Sequence, residues 1–248
     1  MKKCSLLLAG VALFAPLAGR AQTVDEIVAK SLAARGGVAR IKAVQTQLLM
    51  GHIALGPDTE GMLQVEMKRP GKIREEVTLN GVTRIRTSDG STGWLVVGTG
   101  EPRPLSADEL KSLADSADID GPLLDYKAKG NRIELLGKEQ VEGKDTYKLL
   151  VTESNGSVRY DYIDCVSYLG VKWEGKIQAN SQELEAESFF HDYRPVDGLM
   201  YAFAIDSDTL GTQRKQKLVF DKIEVNPVLD DARFGKPSAQ PAAAKPAQ

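Results

Sequence analysis

The stretch that decides the fold is Glu60–Ser88, EGMLQVEMKRPGKIREEVTLNGVTRIRTS. Near its start, Leu63, Val65 and Met67 are separated by single polar residues, which is the two-residue period of a β-strand with one buried face. The pair Asn80-Gly81 lies between two further alternating runs and is a typical hairpin signal. Because short loops join antiparallel neighbours, this stretch predicts a meander of antiparallel strands.

The same alternation continues on both sides of this stretch. The predicted strands are 46–55, 60–69, 72–80, 82–88, 93–98, 132–137, 146–152, 158–164, 169–178, 182–193, 199–206 and 214–225. Hairpin pairs recur at Asp89-Gly90, Asn155-Gly156 and Asp197-Gly198. We expect an α+β, mainly β fold with one large up-and-down sheet of roughly eleven strands, which curls rather than staying flat.

Two helical regions interrupt the strand pattern. Thr23 and Glu26 form a capping box that predicts a helix from residue 23, broken by Gly36-Gly37 and continued to residue 44. Ser106 and Glu109 form a second capping box, with Leu105 and Leu110 in the positions of a hydrophobic staple. The apolar stripe of this second helix has two equal interpretations: an ordinary core helix, or a cover on the concave face of the curled sheet.

The N-terminal residues predict export, and the C-terminal residues predict a disordered tail. A basic start, an apolar run from Leu6 to Leu17 and small residues before a cleavage site after Ala21 are typical of a secretory signal peptide, with a retained membrane anchor as the alternative. Cys4 precedes the apolar run, so we expect no lipid anchor. The Pro- and Ala-rich residues 237–248 predict a disordered tail, which leaves 22–236 as one domain.

Composition excludes several classes of protein. The 248 residues include 32 Lys plus Arg and 34 Asp plus Glu, which is not the basic balance of a nucleic-acid-binding protein. Two Cys and two His are too few for a disulfide scaffold or a structural zinc site. Nucleophile elbows, phosphate-binding loops, dinucleotide-binding glycine patterns and metalloprotease motifs are absent from the sequence. We therefore expect no enzymatic activity, no cofactor and no metal, and we interpret His52 and His191 as structural.

One charged residue shares an apolar strand face. Arg69 follows Leu63, Val65 and Met67 at the end of the second predicted strand and points to the same side. A guanidinium in that position needs acceptors, either backbone carbonyls at a helix end or a carboxylate, unless it reaches solvent at the rim of the sheet. Two aromatic stripes, Tyr160 with Tyr162 and Tyr201 with Phe203, suit either core packing or a ligand cavity.

A set of short motifs resembles one known family. Leu63-Gln-Val-Glu-Met-Lys-Arg-Pro70, Thr87-Ser-Asp-Gly-Ser-Thr-Gly-Trp94, Val141-Glu-Gly-Lys-Asp-Thr-Tyr-Lys148 and Leu229-Asp-Asp-Ala-Arg-Phe234 follow the order seen in LolA-like periplasmic lipoprotein carriers and outer-membrane lipoprotein-sorting proteins. The resemblance covers nearly the whole chain after the signal peptide. Each motif is short, and their order is the more specific feature.

The resemblance implies an incomplete antiparallel barrel with a helical lid over an apolar concavity that receives acyl chains. It implies that Arg69 bonds to the lid, carried by residues 106–124, and takes part in its opening and closing. The lid and gating residues are then Arg69, Leu110, Leu113, Ile119, Leu123 and Leu124. The residues expected to line the concavity are Leu63, Val65, Met67, Val77, Leu79, Trp94, Tyr160, Tyr162, Tyr201 and Phe203.

Two functions follow as hypotheses. The first is a periplasmic carrier that shields acyl chains of lipoproteins or lipids on their way to the outer membrane, with an inner-membrane donor complex and an outer-membrane acceptor as partners. Gln64 and Val65 stand where the family commonly has Trp, so another lipid or a hydrophobic peptide fits as cargo equally well. The second is a periplasmic sensor or interaction module of the same fold that binds a protein partner.

Overall fold

The computed structural model describes residues 22–56, 58–179, 182–212 and 214–238. The predicted signal peptide and residues 239–248 of the predicted tail lie outside the described residues, whereas Pro237 is described and buried. The chain begins with two helices, α1 (Val24–Ala34) and α2 (Val38–Ala43). The predicted capping box is confirmed, because the Thr23 side chain accepts from the Glu26 amide and the Glu26 side chain accepts from the Thr23 amide.

Thirteen strands follow and form one antiparallel sheet. They are β1 (Thr46–Leu55), β2 (Glu60–Lys68), β3 (Lys72–Leu79), β4 (Val82–Ser88), β5 (Gly93–Val97), β6 (Arg103–Pro104), β7 (Arg132–Val141), β8 (Lys144–Thr152), β9 (Val158–Asp164), β10 (Gly170–Ala179), β11 (Gln182–Val196), β12 (Leu199–Thr209) and β13 (Arg214–Val225). Their order in the sheet is β6-β5-β4-β3-β2-β1-β13-β12-β11-β10-β9-β8-β7, so the described sheet is open with β6 and β7 at its edges. The predicted mainly β class is confirmed.

The sheet consists of two meanders joined in the middle. β1 to β6 step outward to one edge, the chain then crosses to the opposite edge, and β7 to β13 step back until β13 pairs with β1. This differs from a single up-and-down run of about eleven strands. The two-residue strand β6 escapes prediction because it is too short to show alternation, and the junction of β1 with β13 leaves no local trace in the sequence.

The crossing is made by residues 107–124, which we call the crossing segment. It contains helix α3 (Ala107–Ser116), whose predicted capping box between Ser106 and Glu109 is confirmed. α3 contacts β3 and β4 in one meander and β10 in the other. β4 and β10 are seven positions apart in the sheet, or about 34 Å if it were flat. A ten-residue helix is only about 15 Å long, so the sheet curls around it.

The two faces of the sheet are covered by different parts of the chain. The inner face carries Leu63, Val65 and Met67, and the helices pack on it to form the main apolar cluster. A second apolar cluster on the inner face is built from strand residues of β1, β2, β3, β12 and β13. The outer face of the first meander is crossed by residues 227–236, the C-terminal segment, which includes a 3₁₀ turn at Asp231–Phe234. No helix within the described residues has the length and apolar character needed to cross a membrane.

Candidate functional site

The site is built around Arg69, which follows β2 on the inner face. Its Nε donates to the Val44 carbonyl oxygen, and one terminal nitrogen donates to the Ile41 carbonyl oxygen at 3.3 Å. These carbonyls belong to the end of α2, where the regular helical bonding pattern stops. The Ile41 oxygen also accepts from the Val44 amide at 3.3 Å. Both terminal nitrogens also donate to the carboxylate of Asp120, with Nη1 at 2.8 Å from Oδ2. Arg69 therefore has both kinds of acceptor that its position in the sequence requires.

The Arg69–Asp120 ion pair joins β2 to the crossing segment. The two side chains are 25% and 18% exposed, so the pair is shielded from water more than a surface ion pair. Hydrogen bonding to Arg69 lowers the pKa of the Asp120 carboxyl, against the opposing effect of burial, and raises the pKa of Arg69. A planar guanidinium and a carboxylate meeting at two points fix orientation as well as charge.

Three further residues bond to the backbone of the crossing segment near Asp120. Arg35, which ends α1, donates to the Asp120 carbonyl oxygen at 3.1 Å. Lys129 donates to the Gly121 carbonyl oxygen at 2.9 Å, and Asn131 donates to the Pro122 carbonyl oxygen at 3.1 Å. Residues 120–122 are consequently fixed from α1, from β2 and from the approach to β7.

Apolar side chains anchor the crossing segment on the inner face. Leu113 and Leu124 are fully buried, and Ile119 and Leu123 are buried beside them in the main apolar cluster. Leu110 is partly buried. A Cβ built on Gly93 would lie 2.7 Å from Leu105 Cδ1 and 2.9 Å from Leu110 Cδ1, so the staple residues both pack on this glycine. All the residues predicted for the lid thus lie between the helices and the inner face or at its margin.

Seven of the ten residues predicted to line the concavity lie on the inner face. Directly paired residues of antiparallel strands point to the same side. Leu63 pairs with Val77, and Val65 pairs with Leu49. The seven inner-face residues are Leu63, Val65, Met67, Val77, Leu79, Tyr201 and Phe203.

Trp94, Tyr160 and Tyr162 lie on the outer face, so their assignment to the concavity is wrong. Trp94 pairs with Thr87, whose hydroxyl donates to Gly235 of the C-terminal segment. Tyr162 pairs with Lys148, while the neighbouring residue Leu149 is buried in the inner cluster. Alternation within one strand separates its two faces, but only pairing with a neighbouring strand tells which face is inward.

Tyr160 and Tyr162 belong instead to a polar network on the outer face. The Tyr162 hydroxyl donates to Glu174, and the ammonium groups of Lys148 and Lys172 lie over its ring at 5.0 and 5.4 Å. Burial and the bond to Glu174 raise the pKa of Tyr162 to about 12. Both tyrosines also pack with Val141, Val171 and Phe189 in a small apolar cluster on this face.

Two cavities lie on either side of Ile119. The larger has a volume of about 500 Å³, and its wall carries the side chains of Arg69, Asp120, Lys129 and Glu153. The smaller has a volume of about 40 Å³, and its lining combines apolar residues and Tyr201 with the polar residues Arg35 and Gln47. Ile119 lines both cavities and separates them. The larger cavity is within the usual range for small-molecule sites, about 300–1,000 Å³, whereas the smaller one is far below it.

Comparison with known proteins shows which solved structures share this fold. No protein-family model matches the chain, and no curated protein matches it. A DUF1329 family protein from Desulfovibrio piger is 13% identical with a TM-score of 0.59, and the match covers 86% of this chain and 97% of that one. The LolA superfamily protein from Nitrosomonas europaea is 17% identical with a TM-score of 0.53, over 87% and 99% of the two chains. The fold is LolA-like.

A third solved structure of this LolA-like fold agrees. A putative outer membrane lipoprotein-sorting protein domain from Vibrio parahaemolyticus is 12% identical with a TM-score of 0.55, and the match covers 84% of this chain and 94% of that one. The predicted resemblance is therefore confirmed at the level of the fold.

Within this LolA-like fold, sequence reasoning missed Asp120, Arg35 and Lys129. Asp120 is one of two aspartates, with Asp118, on either side of Ile119, and nothing in the local sequence distinguishes it from Asp118. The structure assembles no group of three or more His, Cys, Asp or Glu side chains suited to a metal ion among the described residues. His52 and His191 each lie between two carboxylates on the sheet, Glu60 with Asp221 and Glu142 with Asp206.

Proposed function

We propose that this protein is a periplasmic carrier that shields acyl chains of lipoproteins or lipids in transfer toward the outer membrane. One observation carries the proposal: the inner face carries two apolar clusters, and the crossing segment that covers it is joined to the end of β2 by the two-point ion pair Arg69–Asp120. The other two-point pair of the crossing segment, Arg103–Glu109, is exposed and joins it to the edge strand β6. The description of one neighbour as a lipoprotein-sorting protein domain supports the choice of cargo class.

The energetics of acyl transfer explain why a cover is needed. Exposing about fifteen methylenes to water costs roughly 12 kcal/mol at about 0.8 kcal/mol for each CH₂. A carrier has to surround that surface during transit and release it at the end. Holding and releasing a chain in this way involves no covalent step, and we assign the protein a non-enzymatic role.

The helices and the strand-built cluster are packed together on the inner face. The two apolar clusters are bridged by Leu49, Val65 and Tyr201, which pack against both. An acyl chain lying along this bridge would reach the strand-built cluster around Leu63 and Phe203. Since the smaller cavity beside this bridge is about 40 Å³, the crossing segment has to move away before a chain enters.

In this proposal, the crossing segment is the lid and Arg69 is its gating residue. Arg69 contacts α2 and Asp120 at once, so a change in its partners is transmitted to both covers of the inner face. The lid packs on the inner face through apolar side chains, and these contacts break when it opens and re-form when it closes. The residues are Leu110, Leu113, Ile119, Leu123 and Leu124. An inner-membrane donor and an outer-membrane acceptor would supply and remove the cargo.

Extraction of the protein purified from its exporting host tests the proposal. The protein is extracted with organic solvent, and the extract is analysed by mass spectrometry against an extract of a periplasmic protein of similar size purified in parallel. Co-purifying acyl lipid or lipoprotein, stoichiometric with the chain and absent from the parallel extract, is the expected result. A chain that carries no lipid, takes up none when offered and retains a stable protein partner would replace the carrier hypothesis with the interaction module.

A further inference from the structure

The two residues of the lid's ion pair form part of the wall of the 500 Å³ cavity. Arg69 and Asp120 both line it, and so does Lys129, whose Nζ lies 3.4 Å from Asp118 and 4.0 Å from Asp120. The guanidinium that holds the lid is therefore accessible from a preformed space large enough for a ligand head group. The same wall also carries apolar residues of the crossing segment, Ala114, Ala117 and Ile119.

The bond between Arg69 and Asp120 is one that a ligand can copy. Arg binds carboxylates and phosphates in the same two-point geometry. A carboxylate or phosphate that takes the place of Asp120 leaves the charge on the guanidinium neutralised, so the exchange leaves no buried charge unpaired. The paired Asp120 side chain is already 18% exposed and lines the cavity, so once displaced it can move into water.

The residue next to Asp120 separates the cavity from the apolar interior. Ile119 is 9% exposed, packs in the main apolar cluster and lines both cavities. If Asp120 is displaced together with its backbone, which Arg35 bonds at the carbonyl oxygen, its chain neighbour Ile119 moves as well. That movement joins the large cavity to the small one beside Tyr201, where the two apolar clusters meet.

We propose that the ligand is an amphiphile with a single anionic head group, a carboxylate or a phosphate, which replaces Asp120 on Arg69 and thereby opens the lid for its own acyl chain. The inference rests on the proposed carrier function and adds the head-group chemistry. Lys129 and Asn131, which hold the neighbouring backbone, are the other donors of the cavity wall. The wall also carries the carboxylates of Asp118 and Glu153, so the head group has to bind at Arg69 and Lys129.

The ligand's head group and acyl chain are both needed to displace Asp120 from Arg69. Asp120 competes from within the same chain, so its effective concentration beside Arg69 is of millimolar order or higher. A free anion at lower concentration does not displace it. An acyl chain adds apolar burial to the exchange, and only the combined molecule outcompetes the internal carboxylate.

The test compares three probes of matched length by calorimetry below their aggregation limits: dodecanoate, dodecyl phosphate and dodecanol, with sodium phosphate as a head group without a chain. The expected ratio of the dodecanol Kd to the dodecanoate Kd is about ten. The formal net charge of the chain is −2, so long-range attraction does not explain a preference for anions. Comparison of dodecanoate with dodecyl phosphate shows which of the two head groups is preferred.

Two variants and a matched control locate the effect. Arg69→Gln is expected to bring the ratio close to one, and Asp120→Asn is expected to raise it because Arg69 is then free of its competitor. Arg86→Gln is the control: Arg86 makes a two-point pair with Glu75 on the inner face, with exposures of 24% and 16%, and it does not line the cavity. Its ratio should stay at the wild-type value. If Arg69→Gln does not fold, the test is the Kd ratio of Asp120→Asn compared with that of Arg86→Gln. A higher ratio in Asp120→Asn supports the inference, and equal ratios overturn it.

The outcomes separate this inference from the proposed function. Equal affinity of the wild-type protein for dodecanol and dodecanoate would contradict the proposed preference for an anionic head group. The proposed carrier function would not be affected. Opening by sodium phosphate alone, seen as faster hydrogen exchange of amides 117–124 at micromolar concentration, also overturns the inference. Absence of binding for all chain-bearing probes overturns the carrier itself.

Discussion

Arg233 and Glu66 form a two-point ion pair across the outer face of the sheet, with the Glu66 side chain only 3% exposed. Glu66 belongs to β2 and Arg233 to the C-terminal segment, so the pair fixes the end of the chain to the strand that leads to Arg69. The pairing with Glu66 raises the pKa of Arg233. Beside it, Phe234 is fully buried.

Removing Arg233 should therefore destabilise the fold. In Arg233→Gln the buried Glu66 carboxylate loses its charged partner, and the free energy of unfolding should fall by about 2 kcal/mol. Urea denaturation followed by circular dichroism measures the change. Arg132→Gln is the control, since Arg132 is 74% exposed in its pair with Glu134 and should change stability by less than about 0.5 kcal/mol. Equal stability of the two variants would show that the C-terminal segment contributes little.

The Arg69–Asp120 pair should control local opening of the crossing segment. Asp120→Ala leaves Arg69 with only the α2 carbonyls, and amides 117–124 should exchange about tenfold faster, measured by hydrogen exchange and mass spectrometry. Glu75→Ala removes the carboxylate of the comparable pair with Arg86 and should leave these amides unchanged. Acceleration of the same amides in both variants would indicate general loosening rather than release of the lid.

The inner face should bind the acyl chain and the outer face should not. Val65 and Gln64 are adjacent in β2 and point to opposite sides. Val65→Lys places an ammonium on the proposed chain path, so dodecanoate should bind about tenfold more weakly by calorimetry. Gln64→Lys adds the same charge on the outer face and should bind normally. Loss of binding in both variants, each checked for folding by circular dichroism, would contradict this division of faces.

The N-terminus of α3 should resist acid. Hydrogen bonds from Arg103 and from the Ser106 amide lower the pKa of Glu109 to about 2. A lowered folded-state pKa gives stabilisation that is complete above the ordinary Glu value and is lost as the pH falls through about 2. Titration of the Glu109 carboxyl carbon by NMR measures this value, and in Arg103→Gln it should move up toward the ordinary range. A midpoint that stays the same in the variant would exclude Arg103 as the principal cause.

Local structure was largely predictable from sequence because its causes are local. Both capping boxes are defined by residues three apart, and the predicted strand limits follow from alternation within single segments. The acceptors of Arg69 were also anticipated by type, since a charge on an apolar strand face has few ways to be satisfied.

Features that depend on distant residues were not predictable in the same way. The face on which Trp94 lies is determined by its pairing with Thr87 and by the C-terminal segment, which is about 140 residues away in the chain. The hydrophobic pattern of a short sequence window does not include such distant contacts. Asp120 was missed because its partner lies 51 positions earlier in the chain. The outer network of Tyr162 likewise needs the register of β8, β9 and β10.

The junction of β1 with β13 has a consequence for how the molecule is made. Gln47 and Val225 face each other across this junction, so the central pairing of the sheet waits until almost the whole chain has been synthesised. Each meander can form its hairpins earlier, but β1 then remains an unprotected edge open to pairing with other chains. Contacts of such long sequence separation also make folding slow. Newly made chains therefore have their greatest risk of aggregation in the interval before β13 arrives.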